Sequence, residues 1–335
     1  MRSGLRAFAR THEARLLAVT VLLFVFLSFA TRNFFSIQNG LDLLTSYAFP
    51  GMLAAGLVVV IVAGGLDISF TAVASIAQFL AVSAIGRYDL GWAGLCGIAI
   101  GSGLLLGLLN AILVTWLRIA SIIVTIAMLN VYYGLLMFLS HGNSINTLPG
   151  WYIDGLSWVI GADAHGNPYI LNMQILGLGL SFLLTWLLLN RTTTGRQLRA
   201  LGGNPEAAKR VGFSTLRLNM VAYGYMGFTA GLASIVEAQV AGSVVPNMLV
   251  GRELDVLAAV VLGGASLLGG IGSVSGTFIG LALLAMVHNG LILLGVSSFW
   301  IDCVTGFVFL TAVATIAWER RRQRAAIRRT IVAAA

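Results

Sequence analysis

The sequence predicts an all-α, polytopic integral membrane protein of about ten transmembrane helices with both termini in the cytoplasm, and three observations predict it. Hydrophobic residues make up 58% of the 335 and charged residues only 10%, against roughly 25% charged in ordinary soluble chains. Glycine numbers 40 against 5 prolines, which suits helices that approach one another closely in lipid, where small-residue packing replaces the missing hydrophobic drive. The bases are lopsided: of 20 Lys and Arg, all but Arg32, Arg87 and Arg252 fall on one side of a ten-crossing frame, as the positive-inside bias requires. The net charge of +8 is therefore a membrane-flanking feature and not a nucleic-acid footprint.

Taken in order, Arg2, Arg6, Arg10 and Arg15 precede an apolar run, 16–30, that no A-x-A site closes. It reads as a retained first helix entering from the cytoplasm. A second crossing over 43–63, interrupted at Pro50-Gly51, ends in Gly64-Gly65-Leu66-Asp67-Ile68-Ser69, and a third covers 70–86. The fourth, 92–116, carries Gly97, Gly101, Gly103, Gly107 and Asn110, the composition of a close helix interface. A fifth over 119–139 leads to a polar segment, 141–168, too polar for lipid. That outer loop has Trp151, Tyr152 and Trp158, and Tyr169 just beyond it, for the interface. The sixth crossing spans 170–189, the seventh 218–236, the eighth 254–268, the ninth 274–294 and the tenth 299–318, before a basic tail, 319–335. Cys96 and Cys303 lie in apolar stretches and read as buried small hydrophobes. VVIVAGGLDIS and AVVLGGASLLGG are loosely alike, although they do not occupy equivalent places if crossings two to five and seven to ten are inverted repeats.

The longest charged interval between apolar segments is 191–217, where Arg191, Arg196, Arg199, Lys209, Arg210 and Arg217 face the single acid Glu206. Within it Asn204 is an N-cap, Pro205 a first helical residue, Glu206 a first-turn acid, Lys209 and Arg210 last-turn bases, and Gly212 a stop. The spacing predicts a short cytoplasmic helix whose Ala207-Ala208 face lets another protein approach, a helix-in-groove contact. A solvated loop that only orients the flanking crossings is the other reading of the same residues.

No G-x-x-x-x-G-K-[ST], no H-E-x-x-H and no Cys/His ligand spacing occurs, so the chain has no ATPase motif and no metal site of its own. The acids Asp67, Glu253, Asp255 and Asp302 map near span ends, not mid-membrane as ion coupling favours. Asp67 reads either as a translocation-path residue or as part of a helix stop and N-cap. Neutral polar residues inside crossings, Gln78, Asn110, Asn130, His288 and Asn289, suit a hydroxyl-rich neutral solute. As interhelical glue they are worth about 0.6 kcal/mol each. Glu237, Arg252, Glu253 and Asp255 mark an outer face.

Several stretches together resemble one family: Gly65-Leu66-Asp67-Ile68-Ser69, GLLLGLLNAILV from Gly103 to Val114, Glu253-Leu254-Asp255 through GGASLLGGIGSVSGT to Asn289-Gly290-Leu291 and Leu294-Gly295-Val296-Ser297, and TTTGRQLRALGGNPEAAKRVGF. The chain is similar over nearly its whole length to permease subunits of bacterial ATP-binding-cassette importers for ribose and related monosaccharides. It departs from the family pattern at Ala120-Ser121, where proline is usual, and at Ile301-Asp302-Cys303. The resemblance implies a single transmembrane permease domain, 1–335, in the bacterial inner membrane. It also implies two cytoplasmic ATPase subunits that carry the ATP-Mg, a second identical or paralogous permease and a periplasmic solute-binding protein. The coupling helix carries over to 204–212, with Gly195, Arg199, Asn204, Glu206, Ala207, Ala208, Arg210 and Gly212 on the ATPase side. A secondary carrier or facilitator for a small neutral solute is the alternative function, and the sequence leaves the particular solute open.

Overall fold

The computed structural model describes residues 12–162, 166, 168–297 and, in the last stretch, 299–301, 303–308, 310, 311 and 314. The basic tail 319–335, Arg2, Arg6, Arg10, His165 and Asp302 lie outside the described residues. Helix α1 (His12–Ala30) is followed by α2 (Ile37–Ser46) and α3 (Ala48–Val62), which meet at a 55° bend. The bend has a local cause. Pro50 lacks the N–H that would bond to the Ser46 carbonyl, and its ring collides with that carbonyl in a continuous helix, so the chain breaks at Tyr47 and restarts with Pro50 in the first turn of α3. Helix α3 is apolar on every side and almost wholly buried, which places it at the centre of the bundle.

Helices α4 (Phe70–Arg87), α5 (Gly91–Leu117) and α6 (Ser121–Ser140) follow. The 141–168 segment, expected as a polar outer loop, contains a short helix α7 (Gly150–Asp154) and strand β1 (Ser157–Ala162), which pairs antiparallel with β2 (Pro168–Asn172) at the start of the expected sixth crossing. The chain is thus mostly helical but not all-α. Tyr152 is fully buried, donating to the Ile235 carbonyl at 2.6 Å and packing edge-on to Trp92.

Next come α8 (Met173–Trp186), which runs into a π-helical turn (Leu187–Arg191), then α9 (Thr193–Gly203), α10 (Pro205–Arg210), α11 (Thr215–Ala241), α12 (Glu253–Leu262) and α13 (Val274–Leu293).

Six helices among the described residues are long and apolar enough to cross a membrane, or seven if the bent pair α2–α3 is one span. The expected eighth crossing, 254–268, is instead the ten-residue α12 followed by a glycine-rich loop. At 1.5 Å per residue, α12 reaches about 15 Å, half of a hydrocarbon core of about 30 Å. Cys303 is exposed, not buried.

Helices α5 and α11 form the most extensive helix pair. They run antiparallel, with Gly103 beside Gly227 and Gly231, Gly107 beside Tyr223 and Gly227, and Asn219 donating to Thr115 at 2.9 Å. His12, the Arg118 turn and α9–α10 share one end of the bundle, where His12 Nε2 meets the Leu262 carbonyl at 2.9 Å. Tyr152, the β-hairpin and the end of α11 share the other, where Ile145 pairs with Val244.

Candidate functional site: two helix breaks and the helix wedged against them

Helices α3 and α12 end in the same way. Gly64 N–H bonds to Ile61 O and Gly65 N–H to Val60 O, while Gly264 N–H bonds to Val261 O and Ala265 N–H to Val260 O. Both are Schellman turns with a left-handed glycine, Gly64 at φ 87° and Gly264 at φ 89°, a conformation that a side chain resists. The loose likeness of the two stretches is therefore a likeness of two broken helices. The breaks touch: Gly270 N–H donates to the Val62 carbonyl at 3.0 Å.

Helix α9 closes on both. A Cβ placed on Gly202 would lie 2.6 Å from Gly270 N and 2.8 Å from Gly64 N, and would also strike the Val62 carbonyl oxygen, so three backbones meet where only glycine fits. Arg199, one turn earlier, donates to the Gly272 carbonyl at 2.9 Å and to Asn190 Oδ1 at 3.0 Å, clasping the second break. Gly195 is buried against the carbonyls of the π turn. Helix α10 follows immediately. Asn204 caps it, accepting from Ala207 N–H at 3.0 Å, and Gly212 sits at φ 87° beyond its end. Ala208 packs into the chain's own core, while Asn204, Glu206, Ala207, Arg210 and Val211 are exposed.

The first break opens into a buried polar network. The Asp67 carboxylate accepts from Ser69 N–H at 2.8 Å and Ser69 Oγ at 2.7 Å, Asn110 Nδ2 donates to Ser69 Oγ at 2.7 Å, and the Tyr132 hydroxyl donates to Asn110 Oδ1 at 3.0 Å. The N–H of Leu66 donates to Ser121 Oγ at 2.9 Å, an acceptor that a proline at 121 would lack. Such a chain of bonds fixes the broken segment, because each buried polar group left unpaired costs about 1–3 kcal/mol. Replacing Asn110 with Ala is expected to destabilise the fold by about 2 kcal/mol, and Tyr132 with Phe by about 1 kcal/mol, read as detergent-solubilised thermal midpoints. Equal midpoints for the Asn110 variant and the wild type would contradict this.

The remaining residues of the expected path do not join this network. Gln78 is buried on α4, and neither atom of its amide has a hydrogen-bond partner among the described residues. Asn130 faces outward and returns its amide to the Ile126 carbonyl at 2.8 Å. Asn289 donates to Asn39 at 3.1 Å. Glu253, in the first turn of α12, is buried and accepts from the Thr71 hydroxyl, bridging the two broken segments. On its outer side, Arg252 pairs with Glu237 at 2.9 Å. Arg252 also joins Asp255 and His288 around a cavity of about 390 Å³ at the α2–α3 bend.

The matching family model, described as branched-chain amino acid transport system / permease component, covers residues 39–313. The chain belongs to this permease family. The permease is 32% identical over 313 residues to the ribose import permease protein of Escherichia coli strain K12, covering 93% of this chain and 96% of that one. It is 35% identical over 296 residues to the ribose import permease protein of Bacillus subtilis strain 168, covering 87% and 88%. It is 32% identical over 306 residues to the autoinducer 2 import system permease protein of Yersinia pseudotuberculosis, covering 91% and 85%. No solved structure matches. The resemblance carried by the motifs and the family agree, and the permease is a multi-pass membrane protein.

Sequence reasoning singled out Ser69 and Ser121 without joining them to a network, and it missed Gly202, Thr71 and Tyr132. The Gly202-Gly203 pair just before the Asn204 cap was a usable signal, since a helix tolerates two glycines where a backbone must come close. The hydroxyls carried none, because Ser, Thr and Tyr in apolar helices more often bond back to their own helix.

Proposed function

We propose that the permease is the transmembrane subunit of an ATP-driven importer for a monosaccharide or similar small hydroxylated solute in the bacterial inner membrane. It forms one permease domain and has no ATPase site of its own. Two cytoplasmic ATPases carrying ATP-Mg, a second permease copy or paralogue, and a periplasmic binding protein complete the assembly. The end bearing α9 and α10 is then cytoplasmic, and the stretch from Glu237 to Arg252 faces the binding protein. The single observation that carries the reading is the seat of Gly202 between both helix breaks. A push on the exposed α10 moves α9, and α9 cannot move without moving Gly64 and Gly270, so work done outside the membrane reaches two interrupted helices inside it. Interrupted helices are where transporters gate and bind. The solute class rests on the relatives named for ribose import.

The deciding experiment reconstitutes the permease with its ATPase and binding protein in liposomes and follows D-ribose uptake. ATP-dependent uptake supports the reading, and uptake by the permease alone, without ATPase or ATP, overturns it. Glu206 and Arg210 are the expected polar contacts to the ATPase. Glu206 is 75% exposed and its pairing with Lys209 is a surface one, worth little to folding. Replacing Glu206 and Arg210 together with Ala is therefore expected to leave the thermal midpoint unchanged. Solute-stimulated ATP hydrolysis falls roughly tenfold, the loss of one charge-assisted contact. Unaltered stimulation in the double variant removes these two residues from the contact.

A further inference from the structure

The cavity at the α2–α3 bend is walled by Ser46, Tyr47, Arg252, Asp255, His288 and Thr305 over an apolar floor of Pro50, Leu281 and Leu284. Its charged wall makes it unusual. Arg252 caps the start of α12 and Asp255 lies in its first turn, at the outer end of that half-helix. Both are exposed on the surface of the chain. Charged side chains of a membrane-embedded bundle face water-filled space or polar partners instead of lipid. Arg252 is neutralised by its ion pair with Glu237 at 2.9 Å, and Asp255 is a carboxylate acceptor for hydroxyls in the same wall.

The walls also combine two kinds of surface. The Tyr47 and His288 rings stand edge to face, 6.2 Å apart, and the Arg252 guanidinium lies 5.8 Å from the Phe49 ring. A sugar ring has the matching character, with C–H faces for the aromatic and apolar walls and a rim of hydroxyls for carboxylate, guanidinium, imidazole and Ser/Thr oxygens. At about 390 Å³ the cavity is at the small end of ligand sites, which run from roughly 300 to 1,000 Å³.

We infer that this cavity is a binding site for one neutral, hydroxyl-rich solute of monosaccharide size, held between the bent helix α2–α3, the first turn of α12 and the outer half of α13. The site lies within a single chain, beside the Glu253–Thr71 contact that ties α12 to α4. It rests on the importer reading for its role in transport but not for its chemistry. Solute leaving it toward the other end of the bundle passes the two helix breaks, and the kink at Tyr47 gives its outer wall a hinge.

The test uses the assembled complex in nanodiscs without ATP, in a background where Cys96→Ala and Cys303→Ser remove the native thiols. Ser46→Cys places a thiol in the wall, Thr305→Cys places a second one in it, and Tyr88→Cys, exposed in the turn between α4 and α5, is the control. The rate of modification by a water-soluble methanethiosulfonate is followed with and without D-ribose at about 100 mM, with cyclopentanol as a ring of similar size lacking the hydroxyl rim. Occupancy protects by one plus the ratio of ligand to dissociation constant, so slowing of about threefold or more is expected in both the Ser46→Cys and the Thr305→Cys variants. Cyclopentanol gives none, Tyr88→Cys shows none, and adding Asp255→Asn abolishes it. Thiols at both wall positions that never react, or that react at one rate in D-ribose, cyclopentanol and buffer, overturn the site. These rates need no ATP hydrolysis. Loss of protection in a complex with ATP-driven uptake therefore refutes the site alone, and protection without ATP-driven uptake refutes the importer reading alone.

Discussion

Gly202→Ala abolishes most ATP-driven uptake while its neighbour Gly203→Ala does not. The pair is an internal control written into the chain, since a Cβ on Gly203 meets nothing within 4 Å whereas one on Gly202 meets backbone atoms of both breaks. Backbone cannot rotate aside as a flexible side chain does. The added methyl must therefore lever α9 away from Val62, Gly64 and Gly270, at a cost of roughly 1–3 kcal/mol for overpacking a close contact. On the proposed coupling route, the loosened contact is also the one through which motion of α10 reaches the membrane. Uptake of D-ribose is expected to fall at least about tenfold, the rate equivalent of 1.4 kcal/mol, with ATP hydrolysis falling much less. The ratio of solute moved to ATP consumed separates this from simple misfolding, which lowers both together. Arg199→Ala should move the same ratio in the same direction and less far, since it loses the Gly272 and Asn190 bonds without prying backbones apart. If Gly202→Ala and Gly203→Ala transport equally per ATP, the wedge is not a coupling element.

How much of this was legible in the sequence differs by element, for physical reasons. The charged interval between α8 and α11 stands out because its composition changes abruptly, and the Asn204 cap, Pro205 and Gly212 each act locally, so α10 could be placed to within a residue. The eighth crossing was misread because hydropathy averages over a window. A ten-residue half-helix followed by small apolar loop residues has the same average as a span, and only the Gly263-Gly264 pair marks the break. The interior polar set shows the opposite limit. A helix that is apolar all round has almost no amphipathic signal, so nothing in its periodicity says which face turns inward. Asn110 and Asn130 looked alike, yet one is buried and the other exposed. Asn110 did carry a usable hint, since Gly103, Gly107 and Asn110 lie at helical spacing on one face and close packing of a small-residue face brings its polar neighbour inside. The hydrogen bonds from Tyr132 and to Ser121 join residues far apart in the chain, and local pattern has no access to them.

That same glycine face yields the largest expected effect on folding. Gly227 on α11 lies against α5 so closely that a Cβ there would sit 2.9 Å from the Gly103 carbonyl carbon and 3.0 Å from Gly107 Cα, and would also strike the Gly103 carbonyl oxygen. Gly231 repeats the contact one turn later, with a Cβ 2.9 Å from the Ala99 carbonyl carbon. In lipid no hydrophobic drive holds two apolar helices together, so their association depends on how near the backbones come. The Asn219–Thr115 bond sits at the end of the same seam and holds only if the seam stays shut. Gly227→Val should therefore part the largest helix pair along much of its length and withdraw contacts from both flanks. The loss exceeds the usual range for a single substitution, about 4 kcal/mol or more. Gly101→Val is the matched control, on α5 but facing open space, where a Cβ meets nothing within 4 Å. It adds the same β-branched side chain at only the ordinary helical cost, a few tenths of a kcal/mol and offset by removing a glycine. Fluorescence-detected gel filtration after heating should show Gly227→Val lost at temperatures where wild type and Gly101→Val survive. Equal survival of the two variants would mean that α5 and α11 are held by something other than their glycine seam.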